Sequence, residues 1–137
     1  MDAIGFWITQ ETRRVESDCL SRLQRVANAT TLADVVRETD VHLKPELRAL
    51  RHTIPGLKRL ETQASDRLRA MIASRLERIA QSTTPEQALH RRGKLLQDCQ
   101  ALRGKFPREY HYADRESQRL HYLVLQAAKP PQENPES

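Results

Sequence analysis

The sequence predicts an all-α fold: a bundle of five to six helices with a long central helix over about residues 55–81. Three observations lead to this prediction. Between Ile54 and Gln81, apolar residues recur at steps of three and four, which places them on one side of an α-helix. The chain contains only four glycines. No segment alternates Val, Ile and Thr with polar residues in the manner typical of strands.

The apolar stripe of the central helix determines how the rest of the chain must pack. It consists of Leu57, Leu60, Ala64, Leu68, Met71 or Ile72, Leu76 and Ile79. Because a stripe of about seven turns has to be covered in water, we expect neighbouring helices to lie against it, antiparallel to its direction. Glu61 and Arg75 interrupt the stripe, so we expect them at an interface.

The first helix is expected to run from Asp2 or Ala3 to Ala27. Its apolar side begins near Trp7, the only tryptophan, which we expect to fix this helix to one end of the bundle.

A second helix is predicted to begin after Thr31, because Thr31 and Asp34 resemble a capping box. Its apolar side continues to Leu43, and Pro45 ends or kinks it. A short helix is expected from Pro45 to about His52.

The start of the next helix is well marked by Thr84 as N-cap and Pro85 at the first helical position. This helix is expected to reach about Arg103, with Gly104 as its C-cap and Pro107 beyond the stop.

The last helix is predicted from Asp114, as N-cap, to about Ala128. We therefore expect a single helical-bundle domain over residues 1–128. Residues 129–137 are polar and proline-rich, and this composition predicts a disordered tail.

Composition restricts the function classes. No run of 18 apolar residues exists and no signal peptide is recognisable, so we expect a cytoplasmic protein that does not enter a membrane. The net charge is +5, and its excess lies in residues 88–108, which carry six basic residues and one acidic residue. Such a segment is typical of a surface that meets a polyanion.

The segment from His90 to Tyr112 gives the main functional indication. On a helical projection, Arg91, Lys94 and Lys105 share an outward side, and aromatic residues follow in what we expect to be a loop. Cations on phosphates and rings under bases are how proteins hold single strands. The predicted nucleic-acid-binding residues are Arg91, Arg92, Lys94, Arg103, Lys105, Arg108, Tyr110 and Tyr112. The competing interpretation is a solvated basic helix face whose aromatic residues close the end of the bundle.

Catalytic and metal-binding patterns are weak. The five histidines have neither i, i+4 spacing around a glutamate nor an accompanying CxxC, so we expect no metal site and no cofactor. The segments Arg37–His42 and Arg115–His121 resemble the arginine–histidine spacing of HEPN ribonucleases, and this resemblance covers only those two short motifs.

The leading hypothesis is a non-enzymatic, basic accessory protein that contacts DNA or RNA backbone independently of sequence, such as a small subunit of a nucleoprotein complex. The alternative is a protein–protein adaptor or secretion-chaperone-like module that binds an acidic protein or forms a homodimer. A HEPN-like ribonuclease is a third, minor alternative.

Overall fold

A computed structural model describes residues 3–129, and within this range every element of regular secondary structure is a helix. The helices are α1 (Ala3–Asn28), α2 (Leu32–Glu38), α3 (Pro45–Arg48), α4 (Pro55–Ala80), α5 (Pro85–Asp98) and α6 (Pro107–Ala128). Two 3₁₀ turns, Arg51–Thr53 and Cys99–Leu102, precede α4 and follow α5. The predicted bundle with a long central helix is confirmed. The predicted disordered tail falls outside the described residues except for Lys129.

Threonine caps fix two of the helix starts where the sequence predicts them. The hydroxyl of Thr31 accepts a hydrogen bond from the backbone N–H of Asp34 at 3.1 Å. The hydroxyl of Thr84 accepts one from the N–H of Gln87, also at 3.1 Å. Each cap satisfies an N–H that has no partner within its own helix, so α2 and α5 begin at defined residues.

Helix α2 is shorter than predicted because it does not continue to Leu43. It ends at Glu38, and the hydroxyl of Thr39 donates to the carbonyl of Val36 at 2.6 Å, which replaces the next helical turn. Leu43 is nevertheless buried, from the non-helical connection that leads into α3. The apolar spacing predicted the burial of Leu43 correctly, but it did not predict the backbone conformation at this position.

The end of α5 and the start of α6 also differ from prediction. Helix α5 ends through the 3₁₀ turn, and no described glycine has a positive φ, so Gly104 is not a left-handed C-cap. Helix α6 begins at Pro107, seven residues before the predicted N-cap Asp114. Proline is favoured at the first helical position as well as beyond a helix end, so Pro107 marks a start in addition to a stop. Tyr110 and Tyr112 consequently lie on α6, and the prediction that they lie in a loop is wrong.

The stripe on α4 forms the centre of the core. Its buried members are Leu57, Leu60, Ala64, Leu68, Ile72, Leu76 and Ile79. The two charged residues that interrupt the stripe both form ion pairs: Glu61 with Arg51 and Arg75 with Asp98, each at 2.5 Å. Pairing at the edge of the core allows charged groups to occupy stripe positions without losing a partner.

Helix α1 runs parallel to α4, so the expected antiparallel arrangement is wrong for this pair. The carboxylate of Glu16 accepts from the N–H of Gly56 at 3.0 Å, and Arg67 donates to the carbonyl of Ala29 at 2.8 Å. Both partners advance along the chain from the first contact to the second, which requires parallel axes. Helix α2 and the segment after it lie between α1 and α4 in sequence, and they return the chain from the end of α1 to the start of α4.

Helix α6 is parallel to α4 for the same reason. Ser65 donates to Glu109 at one level, and one turn further Arg69 lies over the ring of Tyr112. The intervening α5 runs in the opposite direction, from the end of α4 near Arg78 back to its middle near Ser65.

The first half of α1 packs against the connection between α2 and α3. The ammonium of Lys44 lies 5.3 Å from the ring centre of Trp7 and 3.4 Å from the carboxylate of Glu11.

None of the helices described in residues 3–129 has a segment long and apolar enough to cross a membrane.

Candidate nucleic-acid interface

Two of the predicted binding arginines on α5 are engaged within the fold. The guanidinium of Arg91 donates to the carbonyl of Arg78 at 2.6 Å and lies 3.3 Å from the hydroxyl of Ser82. It therefore satisfies a carbonyl in the last turn of α4, where a cation is also favoured by the helix dipole.

Arg92 joins α5 to α6. Its Nη2 donates to Asp114 Oδ1 at 2.9 Å, and its Nε donates to the hydroxyl of Ser117 at 3.1 Å. Ser117 is fully buried, and 22% of the Arg92 side chain is exposed. This arrangement makes Arg92 a bridge between two helices, with its donors already used.

Lys105 lies in the turn after α5, so the helical projection that placed it beside Arg91 and Lys94 does not apply. Its ammonium donates to the carbonyl of Thr39 at 2.5 Å, at the end of α2. Burial of the ammonium lowers the pKa of Lys105 below its ordinary value, although Glu61 and Asp40 nearby oppose that shift. Lys105 ties the α5–α6 connection to α2.

The other predicted residues remain nearer the surface. Lys94 is exposed and borders a shallow cleft with Arg75, Arg78 and His90. Arg103 covers Tyr110, with its Cζ 5.2 Å from the ring centre, so one face of that ring is occupied.

The structure brings Arg108 and Tyr112 together with residues that the sequence analysis did not select. These two residues line an open cleft of about 650 Å³ with Arg69, His111 and Arg115. Helix α4 contributes Arg69, and the first half of α6 contributes the other four residues at helical spacing. Three guanidinium groups, an imidazole and a phenol ring therefore border one cleft between α4 and α6, which we call the arginine cleft.

Arg69 is held in place at the wall of the arginine cleft. Its Cζ lies 5.7 Å from the ring centre of Tyr112, and its Nε lies 3.5 Å from Glu109 Oε1. The side chain of Glu109 is only 7% exposed and also accepts a hydrogen bond from Ser65. The carboxylate of Glu109 is thus already occupied by Arg69 and Ser65.

Arg108 and Arg115 form no ion pair with any carboxylate in residues 3–129, and both are exposed. They are therefore the cations of the cleft whose donors face solvent. This arrangement is suited to an anion with more than one charged group. Glu109 and Tyr112 hold Arg69 in position, and the exposed Arg108 and Arg115 border the same cleft from α6.

Three residues of the cleft, Arg69, His111 and Arg115, were not predicted from the sequence, for identifiable reasons. Arg115 and His111 share a face with Arg108 only if the helix starts at Pro107, and the predicted start at Asp114 hid this spacing. Arg69 comes from another helix and is joined to Tyr112 only by the packing of α4 on α6, which has no sequence signal.

The fold and cleft define a small all-α bundle with an arginine-rich surface site. No protein-family model, curated protein or solved structure matches this chain. Within residues 3–129, no three His, Cys, Asp or Glu side chains come together as a set of metal ligands.

Proposed function

We propose that this protein is a non-enzymatic accessory protein that binds the backbone of DNA or RNA independently of sequence, with the arginine cleft as its main contact. The observation that carries the proposal is the cleft itself: Arg69, Arg108 and Arg115 border it, its described lining residues include no carboxylate, and the neighbouring Glu109 is buried and paired. Planar guanidinium forks match phosphate oxygens in geometry and in charge.

The spacing of the cations suits phosphates that are about three nucleotides apart on one strand, at roughly 3.4 Å per nucleotide. Arg108 and Arg115 are seven residues apart on α6, which corresponds to about 10.5 Å along the helix. Arg69 approaches from α4, and its contacts with Glu109 and Tyr112 restrict its rotamers before a ligand binds. Restricting a side chain in advance lowers the entropy lost on binding.

The geometry of the two arginine–histidine pairs lends no support to the nuclease alternative. Arg115 and His121 are six residues apart on α6, so they project to different sides of the helix. Arg37 forms an ion pair with Asp34 at 3.3 Å, and His42 lies beyond α2 in the connection to α3.

The test is the salt dependence of binding to a labelled, mixed-sequence single strand. The double variant Arg108→Gln/Arg115→Gln should reduce the slope of log K against log salt by about 1.4, since each lost phosphate contact contributes about 0.7. The matched control is Arg13→Gln/Arg59→Gln, which removes two exposed cations on α1 and α4 that have no ion pair in residues 3–129.

The control variant should retain most of the wild-type slope. Equal losses in both double variants would mean that net charge, and not the cleft, governs binding. A wild-type protein that binds neither DNA nor RNA at about 50 mM salt and micromolar concentration would overturn the proposal.

A second candidate function is a protein–protein adaptor, favoured by exposed apolar side chains on the second half of α6. Leu123 is 49% exposed and Leu125 is 39% exposed. Leu120, Leu123, Val124 and Ala127 line a groove with Ala80 at the end of α4. If this groove serves association with a second copy, sedimentation should give a dimer at micromolar concentration. A monomer at all concentrations would count against the homodimer.

A further inference from the structure

The outward face of α6 carries a stripe that extends well beyond the arginine cleft. Successive exposed residues follow one another at steps of three and four, which keeps them on a single side of the helix. The stripe consists of Arg108, His111, Arg115, Gln118, Tyr122, Gln126 and Lys129, where Lys129 is the C-cap residue. It contains cations, amides and rings but no carboxylate.

Each carboxylate on α6 is used elsewhere. Glu109 is buried against Ser65 and Arg69, below the cleft. Asp114 is paired with Arg92 of α5, and Glu116 is paired with Arg119 at 2.8 Å. No carboxylate on α6 therefore neutralises a cation of the stripe, and the stripe itself has no negative charge that would repel a polyanion.

The length of the stripe is that of a short oligonucleotide. Arg108, Arg115, Tyr122 and Lys129 stand at intervals of seven residues, and the whole distance is about 31 Å at 1.5 Å per residue. At the stacked spacing of roughly 3.4 Å per nucleotide, this length corresponds to about nine nucleotides of one strand.

The ring of Tyr122 differs from those of the other two tyrosines on α6. The rings of Tyr110 and Tyr112 are each covered on one side by an arginine, Arg103 and Arg69 respectively. Tyr122 is 58% exposed and has no ring contact or hydrogen bond with other residues in the described part of the chain. An uncovered ring between Arg115 and Lys129 can stack on a base only where that base is not already stacked and paired in a duplex.

We propose that the outward stripe of α6 is a single-strand binding track, on which Tyr122 stacks on an unpaired base while Arg108, Arg115 and Lys129 hold the flanking phosphates. This inference rests on the proposed function and deepens it, because it names the ligand as single-stranded nucleic acid and defines its path beyond the arginine cleft.

The experiment compares a mixed-sequence ten-nucleotide single strand with a duplex of the same sequence. Tyr122→Ala should weaken single-strand binding by roughly tenfold, because a base–aromatic stack is lost. Tyr122→Phe, which keeps the ring, should remain close to the wild-type protein. The matched control is Leu20→Ala, which removes an equally exposed apolar side chain from α1, a helix that contributes no residue to the stripe.

A 2-aminopurine base in the single strand reports stacking directly. Its fluorescence should be quenched by the wild-type protein and by Tyr122→Phe, and less by Tyr122→Ala at saturating protein. Circular dichroism should be the same for all variants, since Tyr122 and Leu20 are exposed.

The outcomes separate this inference from the proposed function. If Tyr122→Ala leaves single-strand affinity unchanged while Arg108→Gln/Arg115→Gln lowers the salt slope, the track is wrong and the arginine cleft stands. Tighter binding of the wild-type protein to the duplex would also overturn the track. If the wild-type protein binds no nucleic acid, both proposals fail.

Discussion

Arg92 offers the most direct test of the structure against the sequence-based assignment, because the two give opposite expectations for one side chain. As a nucleic-acid contact, Arg92 would be replaceable without loss of stability. In the fold it joins α5 to α6 through Asp114 and Ser117. We therefore expect Arg92→Ala to destabilise the protein and to leave the salt dependence of binding unchanged.

The magnitude follows from what the variant leaves behind. Hydrogen bonds that involve a charged group contribute about 1.5–3 kcal/mol each when well shielded. Asp114 keeps 41% of its side chain exposed and can regain water. Ser117 still donates to the carbonyl of Asp114 at 3.1 Å, so its hydroxyl retains a partner. With these offsets, the free energy of unfolding should fall by about 1.5–3 kcal/mol in total.

Urea denaturation followed by circular dichroism measures this change, with the denaturant slope m as a check on two-state behaviour. A double-mutant cycle with Asp114→Asn should give a coupling energy of about 1 kcal/mol or more, since the two groups are in contact. A loss below about 0.5 kcal/mol together with a salt slope reduced by about 0.7 would contradict the structural role of Arg92, because those values describe a phosphate contact.

Two further predictions concern the core. Leu68→Ala and Leu76→Ala should each lower the free energy of unfolding by about 2–5 kcal/mol in urea, whereas Asp66→Ala, at an exposed position of α4, should change it by less than about 0.5 kcal/mol; equal small effects would contradict a central α4. Burial raises the pKa of Cys19 and of Cys99 from 9.0 to about 11. Both thiols should therefore resist alkylation at pH 8, and stability should decline from about pH 9 to 11, where the unfolded thiols ionise before the folded ones; rapid alkylation of native protein at pH 8 would contradict their burial.

The fold was largely predictable because its main signals are local. The stripe on α4 and the threonine caps at Thr31 and Thr84 depend on residues only three or four positions apart. Helix directions were not predictable in the same way. The parallel packing of α1 and α6 on α4 depends on how the short returning segments are placed, and apolar spacing does not record that placement.

The candidate site was less predictable because projection on a helix gives exposure but not partners. Arg91 and Lys94 are three residues apart on α5, yet Arg91 binds the end of α4 while Lys94 is free of ion pairs in the described chain. An error of seven residues in the start of α6 then placed Tyr110 and Tyr112 in a loop and separated Arg108 from Arg115.

The distribution of basic residues has a structural cause that composition alone could not reveal. Several cations from neighbouring segments satisfy carbonyls at or beyond helix C-termini: Arg67 after α1, Arg22 at the end of α2, Lys105 at the C-cap of α2 and Arg91 in the last turn of α4. Helices commonly end with a left-handed glycine, and no described glycine has a positive φ.

Cations are favoured at these carbonyls, because the last carbonyls of a helix lack intrahelical partners and carry the negative end of the dipole. The chain has 18 arginines and 5 lysines. Several of the arginines therefore have a structural role inside the bundle, where a long side chain with several donors can reach a carbonyl at the end of another helix. The net charge of +5 thus overstates the surface available to a polyanion. What remains for a ligand is the set of cations without an internal partner, and on α6 these are Arg108 and Arg115 of the arginine cleft, with Lys129 further along the same face.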